Sequence, residues 1–329
     1  SRTRFRHDAT NRLPYDVVVV DETSMVSLTM MARLLEALRP DARLVLVGDP
    51  DQLTSVDAGA VLADLVARPV TGAADPTLAS LVGADLTAAD DPKEAALTPK
   101  ERERLGNGIV RLSRGRRFGG TIAILAVAVR EGDADLTWSL LNAGEKDVSF
   151  VGPGSLDGLI DDVRSSSLAL TEAAAAGDVD EALRRLEAHK LLCAHRRGRF
   201  GVSEWARRAA EWAGAPAYAD DWYPGQPLLV TKNDHEAKVY NGDTGVVVAR
   251  NGSLIAAFGR GSTPVLLHPG RLADVQTVYA MTIHRSQGSQ YDTVSVLLPE
   301  TASALLTREL LYTAITRART HVRVIGTEE

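Results

Sequence analysis

The chain has 329 residues, 45% of them hydrophobic, and its 37 Lys and Arg against 43 Asp and Glu give a net charge of −6. This length allows two globular domains, and the acidic balance excludes a protein that binds nucleic acid through overall basic charge. A single cysteine, Cys193, excludes a disulfide framework, and with neither a signal peptide nor an apolar run near the roughly 18 residues of a membrane span we expect a cytoplasmic protein without membrane contact.

The stretch VVVVDETSM, residues 17–25, predicts a strand that ends on two adjacent carboxylates. Four consecutive β-branched residues are typical of a parallel-sheet strand that is buried on both faces. Asp21 and Glu22 then fall at the carboxyl edge, where open α/β sheets hold their ligands. A strand end whose acids simply face water is the alternative for this pair taken alone.

Residues 15–66 alternate strand and helix, which indicates a parallel sheet. The second strand, 44–47, leads through Gly48 to Gln52, so an amide is expected at the edge that carries the acids. There Asp21 would hold Mg²⁺, Glu22 would polarise an attacking water, and Gln52 would sense a terminal phosphate. An ordinary turn residue explains Gln52 alone equally well.

Composition changes along the rest of the chain predict its organisation. Residues 69–107, rich in Ala, Asp, Pro and Thr, are expected to form a surface excursion that closes a first domain, 1–107. A second domain, 108–329, begins mainly helical, and short apolar runs across 224–275 predict a small inserted β-barrel with Asn-Gly hairpin turns at 241 and 251. The predicted fold class is therefore α/β.

Two local basic runs lie on this acidic chain. Residues 111–117 hold four arginines and no acid, and residues 184–208 hold eight Lys or Arg against two acids. Such runs are compatible with phosphate contact along one groove. A solvated helix face explains either run about as well.

Two further stretches carry candidate phosphate ligands. TIHRSQGSQYD, residues 282–292, crowds short donors at a predicted strand-to-helix turn, which can bind a phosphodiester, although His284 alone could be an ordinary buried histidine. Arg317 and Arg319 are predicted two apart on a helix, so that one can reach phosphate while the other binds elsewhere. A surface pair that caps the helix C-terminus is the alternative.

Together these motifs resemble the RecD family of superfamily 1 helicases. DVVVVDETSM and GDPDQLTSVDAG are similar to its motifs II and III, RRFGGTIAILAVAVREGD to motif IV, and YAMTIHRSQGSQYD and RELLYTAITRAR to motifs V and VI. LLCAHRRGRFGV and NGDTG are also similar, and the resemblance extends over nearly the whole chain. It implies two RecA-like domains with an inserted SH3-like barrel, ATP and Mg²⁺ as cofactors, and 5′ to 3′ translocation on single-stranded DNA. It also implies RecB-like and RecC-like partners that act with it on DNA ends in double-strand break repair and recombination.

The resemblance also implies roles for individual residues. Asp21 and Glu22 would serve Mg²⁺ and water, Gln52 would couple phosphate to DNA, and Arg117 and Arg317 would reach ATP across the domain cleft. ATP contact is also implied for Gly288. Implied DNA contacts are Asn241, Thr282, His284, Arg285, Ser286 and Gln287.

The chain departs from the family pattern at two points. Arg285 stands where the family usually has lysine, which keeps the charge but changes the donor geometry. The sequence also contains no G-x-x-x-x-G-K-[ST] and no Gly-Lys pair, so the phosphate-binding loop is missing. We therefore expect a fragment with an incomplete first sheet, which alone neither folds fully nor hydrolyses ATP.

Three other interpretations remain. A non-catalytic scaffold subunit could have lost its ATP loop, although Asp21, Glu22, Gln52 and Arg317 together argue against that. A stand-alone RecD-like helicase or a relaxase-linked helicase would carry the same motifs. A nuclease is least favoured, because the sequence has no acidic nuclease cluster, and it has no nucleophile elbow, zinc Cys pair or H-E-x-x-H either.

Overall fold

The computed structural model describes residues 5–54, 61–68, 76–77, 80, 108–110, 119–216, 222–261, 263–299 and 303–327. The chain divides into two compact units, Ser1–Arg116 and Arg117–Glu329. The predicted excursion at 69–107 lies almost wholly outside the described residues, and so does Arg117. Among the helices that the structure describes, none is long and apolar enough to cross a membrane.

The first unit is built on a parallel pair of strands. Its elements are β1 (Val17–Val20), α1 (Leu28–Ala37), β2 (Arg43–Leu46) and α2 (Val61–Ala67). Val17 lies opposite Arg43 and Val20 opposite Leu46. Ser27 caps α1, because its hydroxyl accepts a hydrogen bond from the backbone N–H of Met30. The predicted βαβα order is confirmed.

The prediction that β1 is buried on both faces is wrong for the described structure. Val17 and Val19 are 53% and 61% exposed, whereas Val18 and Val20, on the other face, are half-buried. The described sheet of this unit has two strands, and no described element covers the face that carries Val17 and Val19. A run of β-branched residues predicts a strand, but the covering of its faces depends on elements distant in sequence.

The second unit is centred on a parallel sheet of five strands in the order β10-β4-β11-β12-β3. These strands are β3 (Val148–Val151), β4 (His189–Cys193), β10 (Ala280–Thr282), β11 (Tyr291–Leu297) and β12 (Ala318–Ile325). Its helices are α3 (Gly120–Glu131), α4 (Ala134–Asn142), α5 (Asp157–Ala175), α6 (Val179–Leu186), α7 (Val202–Trp212) and α8 (Arg308–Ile315). The α/β prediction is confirmed.

One face of this sheet is covered by α5 and α7. Leu159 and Val163 of α5 and Trp205 of α7 pack with Leu191 and Cys193 of β4 in one buried cluster. Burial raises the pKa of the Cys193 thiol to about 12. The lone cysteine is therefore a core residue and not a nucleophile.

An antiparallel sheet of five strands occupies the predicted barrel region, in the order β8-β7-β6-β5-β9. Its strands are β5 (Pro227–Val230), β6 (Thr244–Arg250), β7 (Ser253–Phe258), β8 (Val265–Leu267) and β9 (Val275–Thr277). Asn251 and Gly252 both have positive φ, 51° and 74°, and connect Arg250 directly to its partner Ser253. The predicted hairpin turn at 251 is confirmed. The one predicted at 241 is wrong, because Asn241 and Gly242 lie near the end of the long connection 231–243 between β5 and β6 and do not join two strands directly.

The small antiparallel sheet shares a hydrophobic cluster with two helices of the main sheet. Leu170 of α5 and Leu186 of α6 pack against Val246 and Val248 of β6. A Cβ on Gly177 would lie 2.8 Å from the carbonyl oxygen of Ala249, so backbone meets backbone at this junction. The insertion is therefore packed onto the second unit through its core and not only through its connecting chain.

A partly buried polar layer crosses the main sheet. His189 Nε2 lies 3.0 Å from Ser295 Oγ, and Arg323 donates to both Asp162 at 2.5 Å and Ser295 at 3.2 Å. Burial lowers the pKa of His189 to about 4, and the positive charges of Lys190 and Arg323 act in the same direction against the opposing effect of Asp162.

We expect the free energy of unfolding to fall as the pH drops from 6.5 towards 4. The unfolded histidine binds its proton near pH 6.5, whereas folded His189 resists protonation until about pH 4, so protonation in this window favours the unfolded chain. The loss for this group is at most about 3 kcal/mol. Urea unfolding at several pH values gives the free energy of unfolding as a function of pH. Between pH 6.5 and 4 this free energy should fall less steeply for His189→Gln than for the wild type. His235→Gln, at an exposed histidine, should leave the slope unchanged, and parallel curves for wild type and His189→Gln would contradict the assignment.

Candidate nucleotide and nucleic-acid site

The two predicted acids lie directly beyond the carboxyl end of β1. Asp21 is exposed, and its Oδ1 accepts the backbone N–H of Glu22 at 2.8 Å. Glu22 is half-buried and adopts the left-handed conformation, with φ 50° and ψ 41°. This conformation costs about 1 to 3 kcal/mol for a residue other than glycine, and strain of this kind concentrates at functional sites. It turns the chain into the 3₁₀ helix Thr23–Met25.

Hydrogen bonds join the ends of β1 and β2. Thr23 donates its backbone N–H to the carbonyl oxygen of Val47 at 2.9 Å and its hydroxyl to that of Val20 at 2.8 Å. Gly48 allows this approach, since a Cβ there would lie 3.0 Å from Thr23 N and 2.8 Å from Leu62 Cδ2. The acids and the loop after β2 are therefore held at one edge of the sheet, as the sequence predicts.

Gln52 is oriented by Asp49, a residue that the sequence analysis did not single out. The side-chain amide of Gln52 is buried, 8% exposed for the residue, and its Nε2 donates to Asp49 Oδ2 at 3.1 Å. Asp49 Oδ1 accepts the N–H of Asp51 at 3.0 Å. Gln52 is thus a turn residue that also presents an amide. The signal for Asp49 is its position two residues before Asp51, where aspartate commonly closes a turn on its own side chain.

The donor set at this edge fits Mg²⁺ only in part. The exposed Asp21 carboxylate is the kind of ligand that Mg²⁺ shares with water and phosphate oxygens. Within the described ranges, no group of three or more His, Cys, Asp or Glu could hold a metal ion by itself. The 329 residues also contain no Gly-Lys pair, so the residues at hand can contact a metal–phosphate complex but do not form a Walker-type loop around it.

In the second unit, the segment after β10, residues 283–290, forms a single tight turn. Thr282 caps the 3₁₀ helix Ile283–Ser286 by accepting the N–H of Arg285 at 3.3 Å, and Ser286 donates its hydroxyl to the carbonyl oxygen of Ile283 at 2.8 Å. Gly288, with φ 78°, then turns the chain into β11. The predicted strand-to-helix turn is wrong in its second half, because these local bonds and the glycine end the helix after one turn.

The predicted DNA contacts in this segment differ in accessibility. Thr282 and Ser286 are buried, and their hydroxyls hold the turn. His284, Arg285 and Gln287 are half-buried. Burial lowers the pKa of His284, and its side chain makes no hydrogen bond with any described residue, so it is not the hydrogen-bonded core histidine of the alternative interpretation.

Arg317 is a buried residue, 2% exposed. Its Nε donates to the carbonyl oxygen of Thr313 at 3.1 Å, and its guanidinium donates to the carbonyl oxygen of Ser289 at 3.2 Å. The backbone N–H of Tyr291 donates to the carbonyl oxygen of Arg317 at 2.9 Å. The structure therefore brings Arg317 together with the segment after β10 in one hydrogen-bonded arrangement.

Arg319 has a different environment, and its predicted position on a helix is wrong. The same correction applies to Arg317: helix α8 ends at Ile315, Arg317 lies in the turn that follows, and Arg319 lies in β12, because the chain extends from Ala318 to pair with β11. The guanidinium of Arg319 binds Glu187 at 2.7 Å and Asp292 at 3.3 Å. That one of the two arginines reaches phosphate stays a prediction, and the helix geometry from which it was argued is absent here.

Asn241 lies on an exposed turn of the antiparallel sheet. Its N–H donates to Asn233 Oδ1 at 2.8 Å, and the guanidinium of Arg260 lies 4.4 Å from the ring centre of the neighbouring Tyr240. A cleft of about 220 Å³ is lined by Gly242, Asp243 and Thr244 at the start of β6, by Glu187 after α6 and by Ser289 before β11. Tyr240 and Arg260 are not among the predicted site residues, and their only signal in the sequence is an aromatic residue next to an Asn-Gly turn.

Comparison with known families defines the class of protein that this fold and site resemble. Residues 3–84 match the model of an AAA domain, and residues 277–325 match that of a UvrD-like helicase C-terminal domain. The first match contains the two acids and Gln52, and the second contains the segment after β10 and Arg317. The chain is therefore similar in one part to an AAA domain and in another to the class of UvrD-like helicases.

The particular relatives bear the name RecD. The chain is 50% identical over 331 residues to the RecBCD enzyme subunit RecD of Mycolicibacterium smegmatis, covering 99% of this chain and 52% of that protein. It is 49% identical to the subunit of the same name from Mycobacterium tuberculosis H37Rv, again over 99% of this chain and 52% of that protein. The chain thus spans about half the length of these curated relatives. The resemblance predicted from the motifs is confirmed.

Two more distant likenesses accompany these. The ATP-dependent RecD2 DNA helicase of Deinococcus radiodurans is 30% identical over 320 residues, which cover 96% of this chain and 37% of that protein. The crystal structure of Pif1 helicase from Bacteroides with ADP-AlF3 and ssDNA aligns with a TM-score of 0.48 at 15% identity, covering 96% of this chain and 72% of that one.

Proposed function

We propose that this chain is the motor part of an ATP-dependent DNA helicase subunit of the RecD type, which translocates 5′ to 3′ on single-stranded DNA. The observation that carries the proposal is that the helicase-like motifs lie where such a site needs them. The acids lie at the carboxyl edge of the parallel sheet of the first unit, and in the second unit Arg317 is hydrogen-bonded to the segment after β10. A sequence identity of 50% to a RecD subunit over 99% of the chain supports the proposal. The motor domains would be 1–107 and 108–329, with the inserted barrel at about 224–275.

The residue roles follow from the chemistry at each place. Asp21 would hold Mg²⁺ with ATP, Glu22 would polarise the attacking water, and Gln52 would report the terminal phosphate to the DNA side. Arg317 would donate to the terminal phosphate. Arg117 and Gly288 would add ATP contacts, as the resemblance implies.

The DNA track would follow the segment after β10 and the exposed turn of the antiparallel sheet. Its proposed residues are Asn241, Thr282, His284, Arg285, Ser286 and Gln287. Asn241's turn and Ser289 border the same cleft, which supports a continuous track.

RecB-like and RecC-like chains are the proposed partners, with action on DNA ends in the cytoplasm during double-strand break repair. The relatives are named as subunits of the RecBCD enzyme, which supports this assembly. A stand-alone helicase is the second candidate, since a RecD2 helicase is 30% identical over nearly the whole chain. Co-purification of the complete protein with RecB-like and RecC-like chains would favour the first, and a monomer with helicase activity the second.

The proposal predicts steeply salt-dependent DNA binding by the complete protein. Phosphate contacts dominate such affinity, so log K should fall linearly with log salt, with roughly 0.7 of slope for each phosphate contact on a single strand. Titration of single-stranded oligonucleotides between about 50 and 200 mM salt should show this slope and little sequence preference. Arg285→Gln should lower the slope, whereas Arg271→Gln, at an exposed arginine paired with Glu236, should not. A salt-insensitive or strongly sequence-selective interaction would rule the motor function out.

A further inference from the structure

The loop between β4 and α7, residues 194–201, has a fixed backbone. The carbonyl oxygen of Arg196 accepts the hydroxyl of Ser203 at 2.8 Å, and that of Arg199 accepts Trp205 Nε1 at 2.8 Å. The N–H of Gly201 donates to the carbonyl oxygen of Gly198 at 3.0 Å, and Gly198 takes a φ of 93°. The loop is therefore a built turn and not a loose connection.

Aromatic rings pack between this turn and the core of the second unit. Phe200 stacks on Trp205 at 6.3 Å between ring centres, and Trp212 meets Trp205 edge-on at 6.1 Å. Trp205 is almost fully buried in the core of the second unit. The turn is thus anchored to the core by the same side chain that binds its backbone.

The turn carries three exposed arginines, Arg196, Arg197 and Arg199, and two of them, Arg196 and Arg197, have no acid paired with them among the described residues. By contrast, Arg207 on the following helix pairs with both Glu204 and Glu211. Like charges on a rigid turn repel one another, and this repulsion is relieved when a polyanion binds.

The arginine turn lies beside the segment after β10. Strands β4 and β10 are parallel neighbours, with Cys193 opposite Thr282. The loops that follow the two strands therefore leave the sheet at the same edge, and the strands themselves are about 4.8 Å apart there. The pKa of Arg285 is lowered, first by burial and second by the positive charge of Arg196. Basic side chains from two adjacent loops therefore line this edge of the sheet.

We propose that Arg196 and Arg197 bind backbone phosphates of the single-stranded nucleic acid that the segment 282–287 contacts. The inference rests on the proposed function and widens its DNA track to a second loop. A nucleotide is a poorer fit, because its phosphates are compact whereas the guanidiniums here are spread over two loops along a sheet edge. Arginine supplies paired donors that match phosphate oxygens, and base identity does not enter.

The test is the salt dependence of single-stranded DNA binding by the double variant Arg196→Gln/Arg197→Gln in the complete protein. We expect the slope of log K against log salt to drop by about 0.7 for each phosphate that is no longer neutralised, and the affinity at low salt to weaken roughly tenfold or more. ATP affinity should not change. Arg196→Lys/Arg197→Lys, which keeps the charge, should retain most of the slope.

The matched control is Arg164→Gln/Arg207→Gln, which removes the same charge from exposed arginines of α5 and α7. This pair should leave the slope unchanged. An equal loss in both double variants would assign the effect to overall charge and overturn the proposal, as would loss of ATP binding with an unchanged DNA slope. A wild type that does not bind DNA would refute the proposed function itself, whereas steep wild-type binding with an unaltered Arg196→Gln/Arg197→Gln slope would refute only this inference.

Discussion

Replacement of Arg317 by alanine is expected to lower ATP turnover by about 10³-fold or more in the complete protein. An arginine that donates to the terminal phosphate stabilises charge that develops as the phosphoryl group leaves, and this contribution is made mainly in the transition state. Arg317 is pre-positioned for such a role, because Thr313 and Ser289 hold its guanidinium from within its own unit. Steady-state hydrolysis with saturating single-stranded DNA measures the effect, and DNA affinity should be retained.

Arg319→Ala is the natural control for this variant. Arg319 lies two residues along the chain, and its guanidinium is bound to Glu187 and Asp292 at the surface. We expect its removal to leave turnover nearly unchanged, because both carboxylates hold this guanidinium in its own unit, and to lower stability by about 1 kcal/mol or less. Urea unfolding of both variants separates catalysis from folding, since Arg317→Ala also leaves the carbonyl oxygen of Ser289 without this donor. Unchanged hydrolysis in a folded Arg317→Ala protein would eliminate the phosphate role.

Glu22→Gln should slow hydrolysis by about 10² to 10⁴-fold relative to the wild type while nucleotide and DNA binding persist. Glutamine keeps the shape of the side chain but cannot accept a proton from the attacking water. The half-buried Glu22 is held in a left-handed conformation directly after Asp21, so the direction of its Cα–Cβ bond is fixed by the backbone. Single-turnover hydrolysis measures the chemical step, and binding of a labelled nucleotide measures the rest.

Glu36→Gln provides the comparison within the same unit. Glu36 is an exposed residue of α1 that pairs with Arg33 at 2.7 Å. Its replacement changes the net charge equally and should leave hydrolysis intact. If Glu22→Gln lost nucleotide binding as fully as hydrolysis, the carboxylate would be a ligand and not the base. If it retained full turnover, the acid pair would be only a strand end.

Local sequence chemistry predicted much of the fold. The valine run and the βαβα rhythm give β1, α1, β2 and α2 because hydrophobic periodicity and turn residues act over short distances. Asn251 and Gly252 fix a hairpin because both accept positive φ. The resemblance added the residue roles, which periodicity alone does not provide.

What the sequence did not predict depends on contacts between distant segments. The exposure of Val17 and Val19 depends on which elements cover a sheet face. The burial of Arg317 requires Ser289, 28 residues earlier in the chain, to supply a carbonyl oxygen. Arg196 lies near Arg285 only because β4 and β10 are neighbours, and strand order is not written in either segment.

The core that the small antiparallel sheet shares with α5 and α6 has a mechanical consequence. Gly177 brings its backbone against Ala249, and a Cβ on Gly225 would lie 2.5 Å from the Thr171 hydroxyl, so the junction has no slack. An insertion fused in this way cannot act as a swinging arm. A rotation of the main sheet would therefore carry the Asn241 turn with it as part of one rigid body, with no hinge between them.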